Sequence, residues 1–143
     1  MTPIRDRIEA ETENIQRVLS VLVGTDPWTA ESLSPLELAG VGALLHDLYS
    51  GIESILKQMV REEGVALPDG PAWHRDLVTL AVSMDIISEP TANLLKPYMA
   101  FRHFFVHGYS LELDPRRIMP LLSDARSMFE TFRMEIDTFL SGS

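Results

Sequence analysis

The stretch that decides the fold is SPLELAGVGALLHDLYSGIESILKQMVREE, Ser34 to Glu63. Its first four residues have the Ser-x-x-Glu form of a capping box, in which Ser34 and Glu37 satisfy each other's free backbone N–H groups, with Pro35 at the first helical position. Leu38, Val41, Leu45, Leu48, Ile52, Ile55, Leu56 and Met59 then return at intervals of three and four. That spacing predicts one long amphipathic helix running to about Glu63, with Gly51 as a place for a bend. The ten residues that follow, GVALPDGPAW, hold two prolines and two glycines and read as a loop between helices.

Working outward, the same period recurs and no stretch reads convincingly as a strand. Before the long helix, Thr2-Pro3 starts a first one, in which Ile4, Ile8, Ile15, Val18, Leu19 and Leu22 form an apolar stripe up to Gly24. A polar loop containing Asp26-Pro27 separates the two. After it, Leu77, Leu80, Ala81 and Met84 mark a third helix. A fourth begins near Glu89-Pro90 and runs through Leu94, Leu95, Tyr98 and Phe101, with Pro97 inside it as a source of a kink. Asp114-Pro115 supplies an N-cap and first-turn proline for a last helix, whose buried face is Ile118, Leu121, Leu122, Ala125, Phe129, Phe132, Ile136 and Phe139. The sum is an all-α, up-and-down bundle of about five helices.

Composition narrows what such a bundle can be. With 143 residues, 45% of them hydrophobic, the chain can bury one core, so a single domain over residues 1–143 is expected. Zero cysteines exclude a disulfide framework and thiolate metal sites. The charged N-terminus, MTPIRDRIEAETENIQRV, lacks the apolar core of a signal peptide, and no apolar run approaches the ~20 residues that span a bilayer, so a cytoplasmic protein without membrane association is expected. A net charge of −9 argues against broad nucleic-acid binding, which rewards clustered Lys and Arg, but leaves room for a local basic cleft.

Such a cleft is suggested by FRHFFVHGYSLELD, Phe101 to Asp114, which holds two of the four histidines. Around it Lys96, Arg102, Arg116 and Arg117 outnumber the acids Glu112 and Asp114. At about 100° per residue, Arg102 and Val106 share one helix face and His103 and His107 the next. Tyr109 returns to the arginine face if the helix persists that far. Phe104 and Phe105 are expected to anchor the turn in the core, and Gly108 to end the helix. Each polar residue also has a plainer reading: Arg102 as a surface ion-pair partner, His107 as a helix C-terminal cation, Tyr109 as structural. His103 and His107, four apart, could be two ligands of a metal, but no further ligand cluster stands close by and no metal or other cofactor is expected. His46 and His74 read as capping or core-edge residues, and the methionines and phenylalanines at helical spacing as core.

The spacing Arg102, four residues, His107, one residue, Tyr109 resembles the R-x4-H-x-Y motif of the HepT toxins in the HEPN superfamily. The resemblance extends to the flanks, IESILKQMVREEGVALPDGPAWHRDLV from Ile52 to Val78 and FRHFFVHGYSLELDPRRI from Phe101 to Ile118, and covers roughly Leu44 to Leu140. It implies a HEPN-type bundle acting as a metal-independent endoribonuclease on RNA. Without a metal, the 2′-hydroxyl is the internal nucleophile, and the enzyme must move two protons and stabilise a charged phosphorane. His107 is the implied proton-transfer group, since imidazole titrates near working pH. Arg102 is the implied clamp, its planar fork matching phosphate oxygens. His103 orients His107 or shares proton transfer. Arg102, Arg116, Arg117 and Lys96 are the expected RNA contacts.

The same resemblance implies partners. HepT toxins are neutralised by a small MNT-type nucleotidyltransferase antitoxin that can transfer AMP to the motif tyrosine, here Tyr109. A homodimer is expected, because pairing two motif helices makes a shared groove. A noncatalytic HEPN-like module that binds a nucleotidyltransferase or a nucleotide is the alternative, with Pro97, Gly108 and the acidic net charge as its grounds.

Overall fold

The computed structural model describes residues 2–23, 32–108 and 112–142. Among them are five helices and no strand: α1 (Ile4–Val23), α2 (Pro35–Glu62), α3 (Trp73–Ser83), α4 (Glu89–His107) and α5 (Pro115–Ser141). The all-α bundle expected from the periodicity is what forms.

α2 is the central element. Its 28 residues, about 42 Å of helix, touch each of the other four. The capping box is complete: the Glu37 N–H donates to Ser34 Oγ at 3.1 Å, and the Ser34 N–H to Glu37 Oε1 at 2.9 Å. The far end closes on Gly64, whose φ of +75° lets the chain reverse. There the N–H of Gly64 reaches Arg61 O and that of Val65 reaches Val60 O, which satisfies two of the last carbonyls. Asp85 does the same after α3 at φ +59°, with Ile86 N–H bonded to Ala81 O. The other termini follow the sequence closely. Ser88 caps α4, and Asp114 caps α5 through the Arg116 N–H. α1 starts one residue later than expected, at Ile4, with the Pro3 carbonyl accepting its first bonds.

The apolar stripes meet in one core. Ile15 and Leu19 of α1, Tyr49, Ile52 and Leu56 of α2, Leu77 and Ala81 of α3, Leu95 of α4, and Phe129 and Phe132 of α5 are all buried. Each large apolar side chain buried this way contributes about 1.5–3 kcal/mol. α2 runs through Gly51 as expected; a Cβ there would stand 2.6 Å from Ile15 Cγ1, so glycine is what lets α1 pack this closely. α4 continues through Pro97, which lies inside it as the sequence reading has it. Phe104 is 40% exposed rather than anchored, whereas Phe105 packs against the core above Gly42, where a Cβ would meet its ring at 2.8 Å.

The packing of α4 sets up the site. Leu95 and Tyr98 face the core, and the Tyr98 hydroxyl donates to Leu121 O of α5 at 2.7 Å. Burial raises the Tyr98 phenol above its ordinary pKa, with Asp124 adding to the effect. α4 is thus held on both sides, against α2 and against α5, as it carries its polar C-terminal half past them.

Candidate functional site

The polar residues of α4 divide between two faces. Arg102 lies seven residues beyond Leu95 and four beyond Tyr98, so it continues the buried line and reaches α2. Lys96, Ala100, His103 and His107, spaced by four, three and four, form a neighbouring line whose members are all exposed. The imidazoles of His103 and His107 stand with ring centroids 4.6 Å apart. Gly108 ends the helix after His107, and its N–H bonds Phe104 O at 2.7 Å. It does so with an ordinary φ of −103°, not the left-handed turn usual for a terminal glycine. A Cβ there would sit 2.9 Å from that same carbonyl, so glycine serves close approach.

Arg102 is held by two α2 side chains. Its Nε donates to Ser50 Oγ at 3.1 Å and lies 3.6 Å from Glu53 Oε1. The Glu53 side chain is only 3% exposed, and among the described residues it is the one buried carboxylate. Its second oxygen, Oε2, lies 2.6 Å from His74 Nδ1, at the start of α3. One carboxylate therefore bridges α4 and α3. Both contacts of the guanidinium use Nε, so Nη1 and Nη2 make no hydrogen bond within the described residues. The side chain is 23% exposed, which leaves those donors an edge from which to meet an anion.

Tyr49 closes the buried side. Its hydroxyl is buried with no hydrogen-bond partner among the described residues, and burial, with Glu53 adding and Arg102 opposing, raises its pKa well above the ordinary value. It stays a neutral phenol at physiological pH. On the outer side, Trp73 stacks on His74 at 3.6 Å, and Lys57 Nζ sits 4.1 Å over the indole. His74 is thus no simple capping or core-edge residue, because α3 has no side-chain cap and the imidazole is committed to Glu53.

Glu53 was missed in the sequence, although a signal for it exists there. Tyr49, Glu53, Leu56 and Val60 fall on one buried line of α2, and a carboxylate among apolar residues at that spacing must find a cation. His74 carries no comparable local mark.

The remaining candidates make other contacts or lie outside the described residues. Arg116 is exposed and pairs with Asp114, its Nε 3.5 Å from Oδ1. The Arg116 backbone N–H, with the nearby Arg116 and Arg117 charges, outweighs slight burial and lowers the Asp114 pKa. Arg117 lines a cleft of about 450 Å³ between α4 and α5 with Pro97, Phe101, Phe104 and Leu121. His46 packs its ring 5.8 Å from Phe105. Tyr109 lies outside the described residues. Among those described, no group of three or more His, Cys, Asp or Glu is placed to hold a metal ion. No helix there is long and apolar enough to cross a membrane.

A family model described as HepT-like protein matches residues 40–143, a span that contains α2 from Gly40 onward, the Glu53 bridge and the whole of α4. The chain belongs to the HepT-like family. As a HepT-like protein of the HEPN superfamily it carries Arg102, His107 and Tyr109 at the motif spacing. No curated protein matches it. Among solved structures, one titled as that of a cytosolic protein of unknown function, YutE from Bacillus subtilis, aligns with a TM-score of 0.76 over 96% of this chain and 91% of that one. At 18% identity that likeness shows a shared fold.

Proposed function

We propose that this HepT-like protein is a metal-independent endoribonuclease toxin. The observation that carries the reading is the arrangement at the end of α4: a guanidinium gripped at Nε, its Nη groups without a hydrogen bond among the described residues, one helix face away from an exposed pair of imidazoles. In the reaction the 2′-oxygen attacks the adjacent phosphorus and the bond to the 5′-oxygen breaks. The 2′-hydroxyl proton passes to a base, and a proton is delivered to the departing 5′-oxygen. The products are a 2′,3′-cyclic phosphate and a 5′-hydroxyl. His107 serves proton transfer, His103 orients it or shares the task, and the Nη edge of Arg102 neutralises the phosphorane oxygens. Lys96, on the same exposed line as the imidazoles, extends the positive surface along the RNA, and Arg116 and Arg117 add to it beyond the helix end.

The active form is a twofold homodimer, in which two α4 ends flank one groove. Its regulator is an MNT-type nucleotidyltransferase that places AMP on Tyr109, the tyrosine of the R-x4-H-x-Y spacing. Regulated expression in a bacterium tests the reading. Growth arrest with accumulation of cyclic-phosphate RNA ends is expected for the parent protein, and neither for Arg102→Ala or His107→Ala. Equal toxicity of all three would remove the site from the account.

A second reading rests on a specific contact. Glu53 already supplies Arg102 with a buried anion, and the chain carries a net charge of −9, both of which disfavour a phosphate guest. On that reading the protein is a noncatalytic module that binds its nucleotidyltransferase or a nucleotide. It expects no RNA cleavage and a complex insensitive to His107→Ala.

A further inference from the structure

His74 lies 28 residues before Arg102 and outside the R-x4-H-x-Y motif, yet the two share one carboxylate. We infer that His74 is a positioning residue for Arg102: by holding Glu53 Oε2 it keeps Glu53 from taking the Nη edge of the guanidinium, so that edge stays open to a phosphate. This deepens the ribonuclease reading and rests on it for its functional meaning.

The argument follows from the geometry of a carboxylate. Glu53 has two oxygens on a side chain only 3% exposed. A buried carboxylate with a single cation beside it turns both oxygens to that cation, and arginine answers with two parallel N–H donors. Here the second oxygen is occupied by a short contact, 2.6 Å to His74 Nδ1, whereas Oε1 stands 3.6 Å from Arg102 Nε. The imidazole is itself restrained by the Trp73 ring stacked on it and by the start of α3. Arg102 Nε–H donates to Ser50 Oγ of α2 at 3.1 Å, which fixes the same edge inward. Around the contact, α2 contributes Tyr49, Ser50, Glu53 and Lys57, and α4 contributes Arg102. Remove His74, and Glu53 is free to swing both oxygens onto Arg102, which then spends on an internal anion the donors that a phosphate needs.

Two readouts test this, and both include a measurement that does not need catalysis. The first is the Arg102 Nε–H signal in the NMR spectrum, assigned by its loss in Arg102→Lys. The second is the affinity for a 2′-O-methyl oligonucleotide, which binds but cannot be cleaved, together with kcat and KM on RNA. His74→Ala should shift the Nε–H signal and weaken oligonucleotide binding by roughly tenfold or more. The decisive comparison is His74→Asn against His74→Gln, because the asparagine amide reaches where Nδ1 stands and the glutamine amide reaches where Nε2 stands. Asn should keep the parent signal and most of the affinity, and Gln should lose both. Equal behaviour of Asn and Gln, or an unmoved Arg102 signal in His74→Ala, overturns the inference. A parent protein that leaves RNA intact while His74→Gln still shifts the Arg102 signal defeats the ribonuclease reading alone.

Discussion

Arg102→Ala removes the cation that lies 3.6 Å from a carboxylate with 3% exposure, so it is a stability perturbation as well as a functional one. At an effective dielectric near 20, the Coulomb attraction at that distance is about 4–5 kcal/mol, an upper bound on what is lost. Breaking a buried pair by removing one partner costs about 3–5 kcal/mol when the remaining charge has no other support. Glu53 does have other support, because His74 still holds Oε2 at 2.6 Å, and Arg102 is partly solvated. The expected loss is therefore about 2 kcal/mol, which in a chain of this size lowers Tm by roughly 6 °C. Urea denaturation suits the measurement, since guanidinium salts screen the interaction under study. The companion variant Glu53→Gln turns the anion into a neutral amide. In the double variant no buried charge is left stranded, so the two single losses should overshoot the double loss by about 1–2 kcal/mol. Losses that add to within about 0.3 kcal/mol would show that the two side chains do not interact, and the bridge between α4 and α3 would have no energetic content.

Other expectations follow from particular contacts. Gly51→Ala places a methyl 2.6 Å from the buried Ile15, and the overpacking of about 1–3 kcal/mol should at least cancel the roughly 1 kcal/mol gained in helix propensity; a protein clearly more stable by thermal denaturation would contradict the close packing of α1 on α2. Asp85→Gly relieves a non-glycine residue at φ +59° and should raise stability by about 1 kcal/mol in urea melts. Glu135 is desolvated by packing, yet the Ser88 N–H and hydroxyl and the Thr91 hydroxyl outweigh that and lower its pKa. A carboxyl lowered on folding stabilises above its unfolded pKa, and the gain is lost as pH falls through the folded one, so Glu135→Gln should cost stability at neutral pH and the difference should vanish in acid below the ordinary carboxylate range. Light scattering should return twice the 16.1 kDa chain mass, and a monomer that still cleaves RNA would exclude a composite groove.

The fold was legible because its signals are local. Ser34 and Glu37 sit three residues apart and cap each other, and Asp114-Pro115 opens α5 where the sequence places it. The pairing of His103 with His107 is equally local, one turn of helix apart. The Arg102 environment was not legible in the same way. Ser50 and Glu53 lie 52 and 49 residues before it, and no spacing rule within α4 announces which α2 side chains it will meet. His74 was underread because a histidine at a helix start has an adequate local explanation until tertiary packing brings Glu53 to it. Phe104 misled for the opposite reason: an aromatic residue in an apolar run looks buried, but its side chain lies on the exposed face of α4 while Phe101 and Phe105 pack inward. Gly51 and Gly108 are also sites of close approach, to a side chain and to a carbonyl, that only the packed chain reveals.

The most direct test is the purified protein with RNA in EDTA, followed by analysis of the new ends. The proposed chemistry predicts 2′,3′-cyclic phosphate and 5′-hydroxyl termini from the parent chain, and a loss of at least about a hundredfold in His107→Ala with helicity unchanged. Full cleavage by His107→Ala, or cleavage by the parent only when a divalent metal is supplied, would contradict it.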